Sequence, residues 1–141
     1  MNNYSPDEDI TATILGTLRN DGEIGQYVQS KNISEFFPET GIKDNFPRVL
    51  LSGLTSNDQS THTYSAWDGS FSLTILTVGE YSNKSVRDIA IIIEKAMCQD
   101  NLDVVGGLGF PVLFVSNKTN TIQTDGLTSE IVLTYTFRVT N

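Results

Sequence analysis

Three residue types occur once each: cysteine at Cys98, histidine at His62 and tryptophan at Trp67. A lone thiol excludes an intrachain disulfide and a cysteine-based zinc site, and Cys98 reads as a small packed or half-exposed side chain. His62 lies in a polar stretch, and no Gly-x-Ser-x-Gly elbow is present to hold a serine nucleophile, so it reads as an exposed loop residue. Charged residues are few, 18% of the chain against a typical value of about 25%. Basic residues are fewer still. Nine Lys and Arg face seventeen Asp and Glu, a formal charge of −8, which argues against a protein that grips phosphates through a basic face. The longest apolar run, Ile89 to Ile93, is far short of the ~20 residues that cross a bilayer. No basic N-terminal run leads into an apolar stretch of about seven residues or more, so no secretory signal is expected. The expectation is a soluble protein of a reducing compartment, in which the Asn-x-Ser/Thr triplets at Asn32, Asn83 and Asn117 carry no glycosylation meaning.

Site chemistry is equally scarce. Asp7, Glu8 and Asp9 form the densest acidic cluster, which the start of a helix already explains. A metal centre needs several clustered ligands, and none are expected. Gly106-Gly107-Leu108-Gly109 is followed by Phe110-Pro111 rather than by the Lys and Ser/Thr of a phosphate loop. Tyr64, Trp67 and Tyr81 lack the interleaved basic residues of a base-stacking surface and read as core or interface aromatics. No catalytic residue, cofactor or metal is expected, and the chain is not read as an enzyme.

What is abundant is Ser, Thr and Asn, together 40 of 141 residues, a composition that favours strands and turns. The length suits one domain, residues 1–141. Ser5-Pro6-Asp7-Glu8 fits a capping box, with Ser5 as N-cap and Pro6 in the first turn. Ile10, Ile14 and Leu18 then recur at fours until Asn20-Asp21-Gly22 interrupts, and Glu23 to Val28 resumes as a short helical piece. A short strand is expected at Ile33–Phe37, stopped by Pro38, and another at Pro47–Leu54. Thr55 to Thr63 has almost no apolar residue and reads as a loop, either mobile or ordered by a partner.

Phe71, Leu73 and Ile75 alternate with polar residues, the period of a half-buried strand. Gly79 to Asn83 turns the chain into a second helix, where Val86, Ile89, Ala90, Ile93 and Met97 follow a core-facing pattern. Ile91 and Ile92 widen that face, so cover on more than one side is expected. Two strands close the chain, from Val112 toward Gln123 and from Ser129 to Thr140. In the last one Ile131, Leu133, Tyr135, Phe137 and Val139 face one way and Thr134, Thr136 and Arg138 the other. The order α-β-β-β-α-β-β gives an α+β fold: an antiparallel four- to five-stranded sheet with two main helices on one face. The alternative is a ferredoxin-like split βαβ arrangement with the first helix peripheral.

The run Trp67-Asp68-Gly69-Ser70-Phe71-Ser72-Leu73-Thr74-Ile75, the amphipathic helix after it, the glycine-rich turn, and Thr124-Asp125-Gly126-Leu127-Thr128-Ser129-Glu130-Ile131 leading to Thr134-Tyr135-Thr136-Phe137 resemble the tail terminator (tail completion) proteins of long-tailed bacteriophages. In that family an Asp-Gly-Leu-Thr-like turn introduces the final strand. The likeness reaches more loosely to the N-terminal helix and to Asn45-Phe46-Pro47-Arg48-Val49-Leu50, and is detailed over residues 66–140. The long polar segment Thr55 to Thr63 and the insertion around Ile24 to Lys31 depart from the family pattern.

The resemblance implies a homohexameric ring that caps the tail tube, stops its polymerisation and offers a docking face to the head connector. Its partners would be further copies of itself, the tail tube protein, the connector or neck protein and, in a contractile tail, the sheath protein. DNA would pass through the bore without specific binding, no membrane is involved, and the protein would sit in the virion after assembly in the host cytoplasm. Most of the negative charge, −6, lies in residues 1–70 and −2 in residues 71–141, and an acidic bore would repel DNA. The candidate contacts to neighbouring subunits or partners are Thr55, Ser56, Asn57, Asp58, Gln59 and Trp67. Two other classes stay open: a neighbouring neck component, such as a head-completion or tail-to-head joining protein, and a non-phage domain that binds a small ligand or a protein.

Overall fold

The computed structural model describes residues 7–35, 46–61, 66–79, 81–97, 102–103, 111–122 and 128–140. Helix α1, Asp7–Arg19, carries Asp7, Glu8 and Asp9 at the end where the helix dipole favours anions, and Arg19 in its last turn. Its fours are buried as the spacing demands: Ile10, Ile14 and Leu18 lie in the core. The capping residues Ser5 and Pro6 fall outside the described residues. After the break, Asp21 Oδ1 accepts hydrogen bonds from the Glu23 and Ile24 amides, turning the chain into a short 3-10 piece, Ile24–Gln26. Ile24 and Val28 are buried there.

The sheet has four long strands: β2, Arg48–Asp58; β3, Ala66–Val78; β5, Pro111–Ile122; and β6, Thr128–Thr140. Two strands of two residues each, β1 (Ile33–Ser34) and β4 (Leu102–Asp103), flank them, giving the spatial order β1-β2-β3-β6-β5-β4. The four long strands pair antiparallel throughout, and β1 alone joins in parallel, against Val49 and Leu50. The α+β class and the antiparallel body stand as the patterning predicts. The ferredoxin-like alternative with the first helix peripheral does not, because Ile10, Ile14 and Leu18 of α1 lie in the common core. Its split βαβ element is present, since β6 runs antiparallel between β3 and β5, which helix α2 (Ser82–Met97) connects. The β1 strand is shorter than expected, and Phe36 and Phe37 lie outside the described residues.

Helix α2, Ser82–Met97, turns Val86, Ile89, Ala90, Ile93 and Met97 onto β3 and β6. Side chains on strands alternate between faces, so Val49 and Leu51, Phe71, Leu73 and Ile75, and Ile131, Leu133, Tyr135 and Phe137 form one apolar layer. Both helices cover that layer, in one continuous core that joins Ile93 to Phe137. Phe71 stacks on Tyr135 with ring centroids 5.4 Å apart, and Phe137 lies tilted 6.1 Å from Phe71. The expectation that α2 is covered on more than one side is corrected: Ile91 is 62% exposed, and only Ile92 reaches the core, at its margin. The two positions point to different sides of the helix, and nothing among the described residues lies over the outer one.

The larger correction concerns Thr55 to Thr63. The described part of the segment, to Thr61, is not a free loop, because β2 continues to Asp58 and pairs Thr55 with Ser70, Ser56 with Gly69, Asn57 with Asp68 and Asp58 with Trp67. Backbone pairing is indifferent to the polarity of side chains, so a strand needs no apolar residues where its neighbour supplies the ladder. What breaks the pattern is a β-bulge between Ser52 and Thr55, with Gly53 and Leu54 together opposite Phe71. Gly53 takes φ +64°, a conformation that a side chain disfavours.

Candidate inter-subunit surface

The bulge sets which side chains at the hairpin end face outward. Beyond it, Ser56 turns toward the helices and its hydroxyl donates to Asp7 Oδ1, pinning the strand to the first turn of α1. Thr55 and Asn57 turn to the opposite face. The Thr55 and Ser70 hydroxyls lie 3.5 Å apart across the ladder. Gln59 N donates to Ala66 O, and the Ser60 hydroxyl accepts from Ala66 N, closing the described part of the hairpin. Asp58 Oδ1 accepts from Ser60 N at 2.8 Å, and hydrogen bonds from the Ser60 side chain and backbone hold its carboxyl below the ordinary aspartate value.

Five of the six candidate contact residues, Thr55, Ser56, Asn57, Asp58 and Gln59, therefore share one strand end. Four of them are exposed, and Ser56 is half-buried. Trp67 parts from them. It is 5% exposed and belongs to the core in this chain. The sequence carried a signal for this: Trp67 has the same parity as Phe71, Leu73 and Ile75, with Gly69 between. A Cβ at Gly69 would lie 1.9 Å from the Thr55 carbonyl oxygen and 2.7 Å from Phe137 Cζ, so glycine is what lets β2 and the Phe137 ring close in there. His62 and Tyr64 lie outside the described residues, as do Cys98 and the Gly106–Phe110 turn.

Away from the helices, the sheet presents a broad hydroxyl-rich face. Ser52, Thr55, Ser70, Ser72, Thr74, Thr134 and Thr136 stand on it by register. The Ser72 and Thr134 hydroxyls meet at 3.2 Å, and Arg138 Nε pairs with Asp68 Oδ1 at 2.9 Å. A shallow hollow of 520 Å³ lies among Thr55, Asn57, Asp68, Ser70, Thr136 and Arg138. Sequence reading found the polar sides of β3 and β6 and missed that the end of β2 extends them.

A second concavity, a groove of 780 Å³, runs between α1 and the bulged part of β2. Leu15, Leu51 and Leu54 give it apolar walls, Ala12 and Gly16 leave it open on the helix side, and Asp7, Glu8 and Glu35 put carboxylates on its rim. Its far end is fixed by Arg19, whose Nε and Nη2 donate to Ile33 O at 2.9 and 2.7 Å. Nearby, buried Arg48 donates from Nη1 to Ser34 Oγ and from Nη2 to Asn32 Oδ1, tying β1 to β2, and desolvation lowers its pKa from the ordinary value. Among the described residues there is no cluster of three His, Cys, Asp or Glu suited to a metal ion, and no helix long and apolar enough to cross a membrane.

No protein-family model matches the sequence, and no curated protein matches it. Among solved structures, the chain is similar in fold to a chain of the virion of a native gene transfer agent (GTA) particle. The TM-score is 0.79 at 16% identity, and the match covers 98% of this chain and 99% of that one. At that identity the likeness establishes a shared α+β fold over practically the whole of both chains.

Proposed function

We propose that the chain is a structural virion protein of the tail-terminator kind, whose copies close into a ring on the end of a tail tube, stop its growth and offer a docking face to the head connector. The observation that carries this reading is the fold shared almost end to end with a virion chain of a gene transfer agent, a phage-like particle. It converges with the independent resemblance of residues 66–140 to tail terminators. The role is assembly rather than catalysis, and one domain per copy suffices for it.

The open sheet face supports the reading chemically. Turned toward a bore, it would present passing DNA with hydroxyls, the Asp68–Arg138 ion pair and Glu130. Such a surface makes no run of phosphate contacts and would not hold a moving genome. The exposed hairpin end, Thr55 to Gln59, would contact a neighbouring subunit or the tube protein, which it can do as a pre-formed strand.

Native mass spectrometry of the purified protein, followed by electron microscopy with tube protein, tests this. Closed rings, six copies being expected, together with tubes capped at uniform length, are the expected result. Monomers only, with tube length unaffected, would sink it. Rings that bind a connector but leave tube length unchanged would reassign the protein to the neck.

A further inference from the structure

The outer side of α2 carries exposed cations in an acidic chain. Lys84 and Arg87 are exposed and make no ion pair or hydrogen bond among the described residues, and they flank Ile91, 62% exposed. Tyr81, 73% exposed, stands one turn before Lys84. From Lys84 to Ile91 the helix rises about 10 Å, so these groups form a short strip of cation, aromatic and aliphatic surface, with the half-buried Asp88 at its edge. Arginine and aromatic side chains around an aliphatic centre are what protein interfaces concentrate.

The groove beside α1 is its counterpart. Glu8 and Glu35 stand on its rim, are exposed and make no ion pair or hydrogen bond among the described residues, while Leu15, Leu51 and Leu54 supply apolar walls. The helix that carries the cationic strip packs by its other side over β3 and β6, and the acidic groove lies between α1 and β2, so the two surfaces belong to different parts of one chain. A strip and a groove that complement each other but sit apart on one molecule cannot satisfy each other within it. Between copies they make a heterologous contact, which closes into a ring when the rotation permits.

We infer that the outer side of α2, around Lys84, Arg87 and Ile91, docks into the α1–β2 groove of a second copy of this chain, with Glu8 and Glu35 facing the two cations. This rests on the ring reading above and names the surfaces that would build the ring. Charge complementarity of this kind chooses the partner and speeds encounter, and reversing it sets like charges against each other.

The test uses two variants of the full chain, Lys84→Glu/Arg87→Glu and Glu8→Lys/Glu35→Lys. All four side chains are exposed, and unchanged circular dichroism and melting would establish that each variant folds. Each alone should assemble at least ~100-fold more weakly than the parent at low salt, read by analytical ultracentrifugation. Mixed one to one, they should recover rings in which the variants alternate, because the reversed strip of one fits the reversed groove of the other. An Ile91→Asp variant, which leaves the ion pairs intact, should also weaken assembly. Parent rings that persist unchanged in both charge variants would overturn this interface while leaving the ring reading standing. A parent that never assembles, alone or on tube ends, would overturn both.

Discussion

The two faces of the central sheet are built from the same strands, residue by residue in alternation, yet they are different surfaces. On the helix side Phe71, Leu73, Ile75, Leu133 and Tyr135 are 0–1% exposed. On the other side Ser70, Ser72, Thr74, Thr134 and Thr136 stand next to them in the chain and keep their hydroxyls turned away from the core. The first face holds the molecule together by burial, at about 25 cal/mol for each Å² of apolar surface removed from water. The second contributes little to folding and is free to be chosen for what it meets. Stability and surface chemistry are thus written on the same thirteen-residue strands at alternate positions.

Substitutions on the buried face should have the largest effects. Ile93→Ala and Phe137→Ala each leave a cavity in the layer between α2 and β6 and should cost about 2–5 kcal/mol, read from urea denaturation. Melting within a degree of the parent for both would mean that the two side chains do not share a core. Gly69→Val lies on the same face but fails by overcrowding, since the new side chain meets the Thr55 carbonyl and the Phe137 ring; a loss of about 1–3 kcal/mol is expected. On the open face, Arg138→Ala breaks an ion pair whose side chains are each nearly half exposed, and should change stability by only about 0.2–1 kcal/mol, less in high salt. A larger effect there would abolish the contrast between the faces.

The smallest expected effect is a titration. The Asp58 carboxyl is held below its ordinary value by hydrogen bonds from Ser60, so it is the ionised form that the folded hairpin favours. Its contribution is present above the unfolded aspartate pKa and is lost as pH falls through the lower folded value. Carbon-detected NMR of the Asp58 carboxyl should place its midpoint below that of an aspartate in an unstructured peptide, and Ser60→Ala should move it back up. An unchanged midpoint in Ser60→Ala would remove the Ser60 hydroxyl as a cause and leave its backbone N–H.

Much of this was legible where periodicity is long and apolar. The α2 stripe and the alternation in β6 announce both their structure and their buried faces, because few other arrangements could hide so many aliphatic groups. The end of β2 was not legible. Thr55 to Asp58 has no apolar residue to mark an inner side, and its strand character comes from the ladder that β3 supplies, a partner distant in sequence. Ile91 was misread for the opposite reason: an apolar residue next to a buried stripe suggests cover, while the helix turns it outward. Of the candidate surface, the hairpin end was found by its polarity. Trp67, read both as a core or interface aromatic and as a candidate contact, is a core residue, as its parity with Phe71 indicates, and the α1–β2 groove leaves no mark in local sequence because its walls come from separate elements.

The Gly53–Leu54 bulge has a further consequence for how such a chain can change. Upstream of it, β2 obeys the parity of the core, and downstream it obeys a parity offset by one, which is why Ser56 rather than Thr55 meets Asp7. Loss of Gly53 would leave Leu54 alone opposite Phe71 and restore plain alternation, so Ser56 would still point inward, Thr55 and Asn57 outward, and Val49 and Leu51 would keep their places. The bulge is in effect a slack link, taking up one residue of β2 against β3 without turning either half of the strand over. Through it, a lineage could lengthen or shorten this strand by one residue and keep both its contact surface and its core.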